Sequence, residues 1–382
     1  MDTNTVNDES LVDLMFHLKW KSDSAQHTDV YNAAQVNIWR DYLPDTVLSA
    51  VKHRQTGDLV EIPLTPGDVL PAKDPGKLRE IKRNQFGNSQ SSNAVLPPEI
   101  GRFYPKGLLS GITSVFAANR QPFRCVHLNN GHMTVDFNHP LSGRDLSLST
   151  VIGKISSKRT ERGGTSVDWL AALTDGPGMQ ARWQNKPSMF FNQNAFTRED
   201  AGSDVRFYQK PRFVQHLDDT AIEVVKSTYG RFLQDGMQVL DLMSSWQSHL
   251  PENLKLGRLT GLGLNEKELK RNPQLSDIHV QDLNASPVLP FNDNTFDAVL
   301  NTVSIEYLVD PLAVFKEVRR VLRRGGYFLV SFSNRWFEKK SVKIWKEIHE
   351  FERMGMVLEM FLRTEGFTNL QTYSMRGLPR PH

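Results

Sequence analysis

The chain has 382 residues, of which 39% are hydrophobic and 23% are charged, and its formal net charge at pH 7 is +3. This length is sufficient for two hydrophobic cores. No apolar run approaches the roughly 20 residues that a membrane-spanning helix needs. The single cysteine, Cys125, excludes an internal disulfide and a cysteine-rich zinc site, and we expect no metal centre.

Basic residues are scattered along the chain, with 46 lysines and arginines among 43 acidic residues. The tightest basic cluster, residues 154–162, favours a solvated surface, because nucleic-acid-binding proteins concentrate basic charge on one face. We therefore expect no nucleic-acid partner. The polar and acidic N-terminus, residues 1–11, lacks the basic start and apolar core of a secretory signal, which predicts a cytoplasmic protein without a membrane partner.

Residues 1–155 contain short strand-like runs bounded by turn residues, which predicts a mainly β N-terminal domain. The alternation of apolar and polar residues at 133–137 and 146–150 is typical of half-buried antiparallel strands. Residues 156–203 lack periodicity but contain tryptophans and phenylalanines, which a free linker does not need. We expect this segment to be a linker packed on the surface of the protein. Two further predicted strands are residues 15–20 and 58–63.

Two segments of the N-terminal domain carry a resemblance. Residues 57–67, Gly-Asp-Leu-Val-Glu-Ile-Pro-Leu-Thr-Pro-Gly, resemble the strand and flap of FKBP-type prolyl isomerases. Residues 133–148 are similar to the final hairpin of the SlyD-like branch of that family, in which an insert domain interrupts the FKBP half-barrel. The resemblance implies an insert at about residues 70–130. The aromatic residues of an isomerase pocket have no clear counterpart, which favours a docking role over isomerase activity.

Residues 204–382 contain apolar runs that end in small or acidic residues, and helical segments separate several of them. This pattern predicts an α/β domain with a doubly wound, mostly parallel sheet and ligand groups at the carboxyl ends of its strands. After Asp310-Pro311, apolar residues recur at helical spacing and predict an amphipathic helix. The predicted strands are residues 239–242, 257–264, 280–282, 294–301 and a run that ends at Ser331.

The order and spacing of these pieces resemble class I S-adenosylmethionine-dependent methyltransferases of the type 11-like group, which implies a Rossmann-like fold and S-adenosyl-L-methionine as the cofactor. The chain departs from the family in two places. The loop after the first strand, residues 243–251, contains no glycine, and Gly263 stands where the family has an acid for the ribose hydroxyls. Two interpretations of the loop remain open. Ser244 and Ser245 replace the lost backbone contacts to the methionine end, or Trp246 closes an inactive site.

The resemblance assigns the remaining contacts residue by residue. Asp282 would accept a hydrogen bond from the adenine amino group, and Asn265 is the nearest group to bind a ribose hydroxyl. The segment before the first strand would cover the donor and supply acceptor-side groups. The predicted cofactor-binding residues are Asp241, Met243, Ser244, Ser245, Gly263, Leu264, Asn265, Asp282, Leu283 and Asn301, and the predicted acceptor-side catalytic residues are Tyr208, Arg212, His216 and Asn334.

The C-terminus departs from the family again. Residues 366–373 fit the first of the two antiparallel strands that usually close the sheet, whereas residues 377–382 are too short and proline-rich for the second. Either the strand is missing, or another chain supplies it, as in a homodimer. We expect an enzyme that methylates a small-molecule nucleophile. The alternative is a catalytically inactive methyltransferase-like docking or chaperone protein with an FKBP-like peptide-binding or prolyl isomerase domain.

Overall fold

A computed structural model describes residues 5–64, 67, 69–87, 97–113, 115–157 and 164–379. The predicted flap at residues 57–67 and the basic cluster at 154–162 extend outside these ranges. The strands are β1 (Ser10–Lys21), β2 (Gln26–Asn37), β3 (Leu59–Ile62), β4 (Leu78–Lys82), β5 (Phe103–Pro105), β6 (Pro122–Leu128), β7 (His132–Asp136), β8 (Leu146–Ser157), β9 (Gln238–Leu242), β10 (Arg258–Gly263), β11 (Asp277–Val280), β12 (Phe296–Thr302), β13 (Leu322–Ser331) and β14 (Gln371–Arg376).

Most of the helices are short, and several begin at a residue whose side chain caps the helix. Asp218, Asn265 and Asp310 each accept backbone hydrogen bonds at a helix N-terminus. The α-helices are α1 (Asp45–Val51), α2 (Trp169–Thr174), α3 (Asp204–Phe207), α4 (Asp219–Gly230), α5 (Glu266–Arg271), α6 (Pro311–Val321), α7 (Lys343–Glu347) and α8 (Glu350–Thr364). None of the helices in the described ranges is long and apolar enough to cross a bilayer.

The chain divides into two compact units. The first comprises residues 1–190, 349–359 and 368–378, and the second comprises residues 191–348, 360–367 and 379–382. The sequence assigned residues 204–382 to one domain, whereas the structure distributes their C-terminal part over both units. The segment 156–203 also differs from the expected surface linker, because Leu170 and Leu173 of α2 are part of the hydrophobic core of the first unit.

The first unit is built on a five-stranded sheet with the order β14-β2-β1-β8-β3. Alternate residues of β1 are buried, since successive side chains of a strand point to opposite faces. A second, four-stranded antiparallel sheet has the order β4-β7-β6-β5 and its own small core around Phe123 and Met133. The expected final hairpin at residues 133–148 is therefore wrong: β7 pairs with β4 and β6, whereas β8 pairs with β1 and β3.

The C-terminal strand β14 belongs to the first unit. It lies parallel to β2, with Gln371 opposite Gln26 and Arg376 opposite Tyr31, so the expectation that it closes the methyltransferase-like sheet is wrong. The buried carboxylate of Asp29 accepts hydrogen bonds from Ser374 Oγ at 2.6 Å and from Trp20 Nε1 at 2.8 Å. The Ser374 contact favours this register of β14, because a shift of one residue would remove one donor from the buried carboxylate.

The second unit contains a five-stranded sheet with the order β11-β10-β9-β12-β13, in which all neighbouring strands are parallel. This confirms the predicted parallel α/β sheet. Val314, Phe315, Val318 and Val321 form the buried face of α6, as the helical spacing predicts. In the strand order 3-2-1-4-5 the first strand lies in the middle, so the order in which strands are added to the sheet reverses between β9 and β12. Open α/β sheets bind ligands at such a point.

Candidate active site at the carboxyl edge of the parallel sheet

The parallel direction of β9–β13 brings the loops after these strands to one edge of the sheet. At the centre, β9 ends at Leu242, and Met243 then adopts a left-handed backbone with φ of +60°. A left-handed backbone is unfavourable in free energy for a residue other than glycine, so the turn depends on contacts that stabilise it. The predicted glycine-free loop is therefore a strained turn directly after the first strand.

Asp241, near the end of β9, stabilises this turn through hydrogen bonds with two serine side chains of the loop. Ser244 Oγ donates a hydrogen bond to Asp241 Oδ2 at 2.6 Å, and Ser248 Oγ donates to the same oxygen at 2.7 Å. The carboxyl group is buried, and burial raises its pKa to about 6 although the two serine hydrogen bonds act in the opposite direction. Asp241 and Ser244, both predicted to bind the cofactor, are thus hydrogen-bonded to each other.

Gly263 is required by the position of the loop. The backbone N–H of Ser244 donates to the carbonyl of Leu262 at 2.8 Å, and a Cβ atom at position 263 would lie 2.2 Å from the carbonyl oxygen of Ser244. No side chain fits at that distance. The loop therefore occupies the space above the end of β10, where the resemblance predicts an acid for the ribose hydroxyls.

Asn265 has a structural role in α5. Its Oδ1 caps the helix by accepting from the N–H groups of Lys267 and Glu268, and its Nδ2 donates to the carbonyl of Tyr208 at 2.7 Å. Glu268, which sequence reasoning did not select, accepts from the N–H of Arg212 and from Ser245 Oγ, both at 2.7 Å. The segment before α4 is thereby attached to the carboxyl end of β10. A capping residue followed by an acid three positions later is the only sequence signal for this connection.

Asp282, which is predicted to bind the adenine, has fewer hydrogen bonds within the protein than Asn265, which is predicted to bind the ribose. Asp282 is half-buried two residues after β11, and its Oδ1 accepts from the N–H of Asn284 at 2.9 Å. Leu283 is buried beside it, and Leu264 is half-buried after β10. Gln281 donates its N–H to the carbonyl of Gly263 at 3.0 Å, which brings the two strand ends together. The carboxylate of Asp282 thus retains capacity to accept a hydrogen bond from a ligand.

Asn301 lies fully buried near the end of β12, opposite Leu242. Its Nδ2 makes a long hydrogen bond of 3.5 Å to the carbonyl of Leu242, and its Oδ1 has no partner among the residues that the structure describes. A buried amide oxygen without a donor costs about 1–3 kcal/mol. Asn301 lies on β12, next to β9, where the order of the strands in the sheet reverses.

Two of the predicted acceptor-side residues, Tyr208 and Arg212, belong to an aromatic cluster. The rings of Phe207, Tyr208 and Phe337 contact one another edge-to-face, with centroid distances of 4.9 Å, 5.8 Å and 6.2 Å, and Tyr307 lies 6.0 Å from Phe337. The guanidinium of Arg212 lies 4.4 Å from the centroid of Phe207. Phe207, Tyr307 and Phe337 were missed by sequence reasoning, because aromatic residues far apart in the chain give no local signal.

His216 lies at the margin of this cluster, and its ring centroid is 5.4 Å from that of Phe337. Burial lowers the pKa of His216 more than the negative charge of Glu268 raises it, and the positive charge of Arg212 lowers it further. The imidazole is therefore neutral at pH 7 and can accept a proton. Asn334 lies in the exposed loop after β13, three residues before Phe337.

Trp246 is the residue that closes the site in the second interpretation of the loop. It lies against the segment that follows Arg212. Its Nε1 donates to the carbonyl of Val214 at 3.3 Å, and its ring contacts Phe213 edge-to-face at 6.3 Å. The indole therefore connects the loop after β9 to residues 213–214.

Comparison with known proteins concerns part of the chain. The parallel, five-stranded sheet has a Rossmann-like strand order, and residues 245–330 match the family model "Methyltransferase domain". This match implies S-adenosylmethionine as the cofactor. All matched residues lie in the second unit, so the FKBP-like resemblance of the first unit stays a prediction.

The similar proteins match only part of the chain. Cycloartenol-C-24-methyltransferase 1 of Oryza sativa subsp. japonica is 34% identical over 106 residues, which cover 26% of this chain and 31% of that protein. A fatty-acid O-methyltransferase of Mycolicibacterium smegmatis is 34% identical over 120 residues, or 30% and 43% of the two chains. A methyltransferase structure from Mesorhizobium loti has 23% identity and a TM-score of 0.25 over 30% of this chain and 55% of that chain. The chain spans less than half the length of these two curated relatives.

The residues at the edge fit the cofactor in part. Asp282 has acceptor capacity and Asn301 Oδ1 has no donor, as a site for a polar ligand requires. By contrast, the side chains of Asp241 and Asn265 are hydrogen-bonded within the protein, and the space above Gly263 is occupied by the loop. The carboxylate of Asp282 is therefore able to accept a hydrogen bond from the cofactor, whereas the side chains of Asp241 and Asn265 are already hydrogen-bonded within the protein.

Proposed function

We propose that this protein is an S-adenosylmethionine-dependent methyltransferase that acts on a small-molecule nucleophile, with residues 243–249 as a loop that moves to admit the donor. The observation that carries the proposal is the match of residues 245–330 to the methyltransferase domain family, on a parallel sheet whose reversal point contains the unsatisfied oxygen of Asn301. S-adenosylmethionine supplies an electrophilic methyl group on a sulfonium.

The protein's own residues would bind and align the reactants. Asp282 accepts a hydrogen bond from the adenine amino group, and Asn301 Oδ1 accepts one from the donor near the centre of the edge. Asp241, Ser244 and Ser245 contact the methionine end once the loop has moved. Methyl transfer is an in-line displacement that depends mainly on alignment, and neutral His216 can take a proton from a neutral acceptor.

The small-molecule acceptor is supported by the names of two similar proteins, which specify cycloartenol and a fatty acid. A specific observation favours a second candidate, a catalytically inactive docking protein. The hydrogen bonds of Ser244, Ser248 and Asn265 hold the loop and its surroundings in an arrangement that leaves no room for a ribose acid at Gly263.

Calorimetric titration of the full chain with S-adenosylhomocysteine separates the two candidates. The methyltransferase should bind it, and Asn301→Ala should weaken binding by about tenfold, the loss of one buried hydrogen bond. Asn253→Ala is the matched control, since Asn253 is exposed in the loop that enters the opposite end of β10. Absence of binding at millimolar ligand would leave the docking protein as the better account.

A further inference from the structure

Arg212 is the unusual member of the aromatic cluster. Its guanidinium lies 4.4 Å from the centroid of Phe207, 5.3 Å from that of Tyr208 and 5.1 Å from that of Phe337, so three rings surround one cation. Nη2 donates to the carbonyl of Phe207 at 3.2 Å, whereas Nη1 is buried and has no partner among the described residues. A guanidinium has five donors in a planar fork, and a buried one without a partner is costly.

The neighbouring cations are paired. Lys340 Nζ lies 5.1 Å from the ring centroid of Phe207. It also forms ion pairs with Asp204 at 3.0 Å and with Asp200 at 3.2 Å. Arg198 Nη1 also contacts Asp204, at 2.8 Å. Within the described part of the chain, by contrast, no carboxylate lies within ion-pair distance of the Arg212 guanidinium. The guanidinium of Arg212 therefore has no carboxylate of its own among the described residues, although the cluster also contains the buried carboxylate of Glu306, since burial and the charge of Glu306 raise the pKa of Tyr307.

The position of Arg212 connects this charge to the edge of the sheet. Its own N–H is bonded to Glu268 at the start of α5, and Tyr208 is bonded to Asn265 after β10. Tyr307 follows β12 and Phe337 follows β13, so these two rings of the cluster come from loops at the carboxyl ends of the strands.

We infer that Arg212 binds an anionic group of the methyl acceptor, and that the acceptor is an organic carboxylate with an apolar body. The fork of the guanidinium suits a carboxylate, and the rings of Phe207, Tyr208 and Phe337 suit the apolar part. A cationic acceptor would be repelled by Arg212, and a neutral oxygen would bond Nη1 less strongly than a carboxylate. This inference rests on the proposed methyltransferase function and specifies its substrate class.

Three probes of similar size and different charge test the inference on the wild-type full chain with S-adenosylhomocysteine present: benzoate, benzyl alcohol and benzylammonium, at constant ionic strength. Benzoate should bind about tenfold or more tightly than the other two in ligand-observed NMR. Equal binding of benzoate and benzyl alcohol would overturn the inference. Because this comparison uses the unaltered protein, it does not depend on a variant that folds.

Variants then locate the site. Arg212→Gln should remove the preference for benzoate, and Arg212→Lys should restore part of it, since lysine keeps the charge but loses the fork. The matched control is Arg231→Gln, because Arg231 lies over the ring of Phe232 at 5.8 Å, at the C-terminus of α4. Affinity for S-adenosylhomocysteine should be the same in all variants. If wild type binds S-adenosylhomocysteine and Arg212→Gln keeps the preference, only the inference fails; if wild type does not bind it, the proposed function fails.

Discussion

Substitution of Gly263 tests the structural relation between the glycine-free loop and the missing ribose acid. A Cβ atom at this position would lie 2.2 Å from the carbonyl oxygen and 3.2 Å from the carbonyl carbon of Ser244, and 3.2 Å from Leu269 Cδ2. An ordinary contact needs more than 3 Å, so the loop backbone must move by about 1 Å in Gly263→Ala. This movement breaks the hydrogen bond from the N–H of Ser244 to Leu262 and strains those from Ser244 and Ser248 to Asp241.

The expected loss of stability combines two effects. Overpacking in a well-packed site costs about 1–3 kcal/mol, and a lost hydrogen bond costs about 1 kcal/mol, so we expect Gly263→Ala to lose about 2–4 kcal/mol. Hydrogen exchange followed by mass spectrometry measures the effect locally, since the N–H of Ser244 is protected by its bond to Leu262. Residues 243–249 should exchange faster in Gly263→Ala and in Gly263→Asp.

Gly230→Ala is the matched control, because a Cβ atom there would lie 3.3 Å from Pro251 Cγ, a contact that a small adjustment relieves. If the loop must leave Gly263 to admit the donor, the displaced loop of Gly263→Ala should also bind S-adenosylhomocysteine no less tightly than wild type. Unchanged exchange of residues 243–249 in Gly263→Ala would refute the reasoning, because it would mean that the loop does not rest on Gly263.

Three further predictions concern buried polar groups and the C-terminal strand. Burial raises the pKa of Asp241 to about 6 from 3.8, so the folded state binds this proton more tightly and stability falls by about 3 kcal/mol as the pH rises from about 4 to about 6. Asp241→Asn should flatten that part of the stability curve in urea titrations, and identical slopes would contradict the prediction. Ser374→Ala removes a 2.6 Å hydrogen bond to buried Asp29 and should cost about 1–3 kcal/mol by thermal unfolding, whereas Ser147→Ala on an exposed position of β8 should cost little. A chain that ends at Asn369 lacks β14 and exposes the edge of β2, so light scattering should detect self-association, and a stable monomer would count against the role of β14.

Local patterns in the sequence were sufficient for the parallel sheet. Runs such as residues 239–242 and 296–301 are mainly apolar because strands buried on both faces need mainly apolar residues, and the predicted strand ends agree with β9 and β12 within a few residues. The buried face of α6 follows from the 3.6-residue period for the same reason. These signals lie within one segment and need no knowledge of its neighbours.

The partners of each segment were decided by the tertiary structure. The sequence predicts a strand near residue 371, but nothing in its local pattern indicates that it pairs with β2, about 345 positions earlier, through Asp29 and Ser374. The residues 133–148 have the alternation of a hairpin, yet their two strands lie in different sheets. A period of two determines which face is buried, whereas the neighbouring strand depends on contacts distant in sequence.

In the candidate site, too, some features follow from the sequence and others only from the tertiary structure. The sequence alone indicated the positions of Asp241, Asp282 and Asn301 at strand ends, and it identified Gly263 as a departure from the family. Only the structure shows that a Cβ atom at Gly263 would collide with Ser244, that Asn265 caps α5, and that three rings surround Arg212. The physical reason is that residue type and spacing determine local backbone geometry, whereas hydrogen-bond partners, close approaches and unsatisfied charges arise only when distant segments meet.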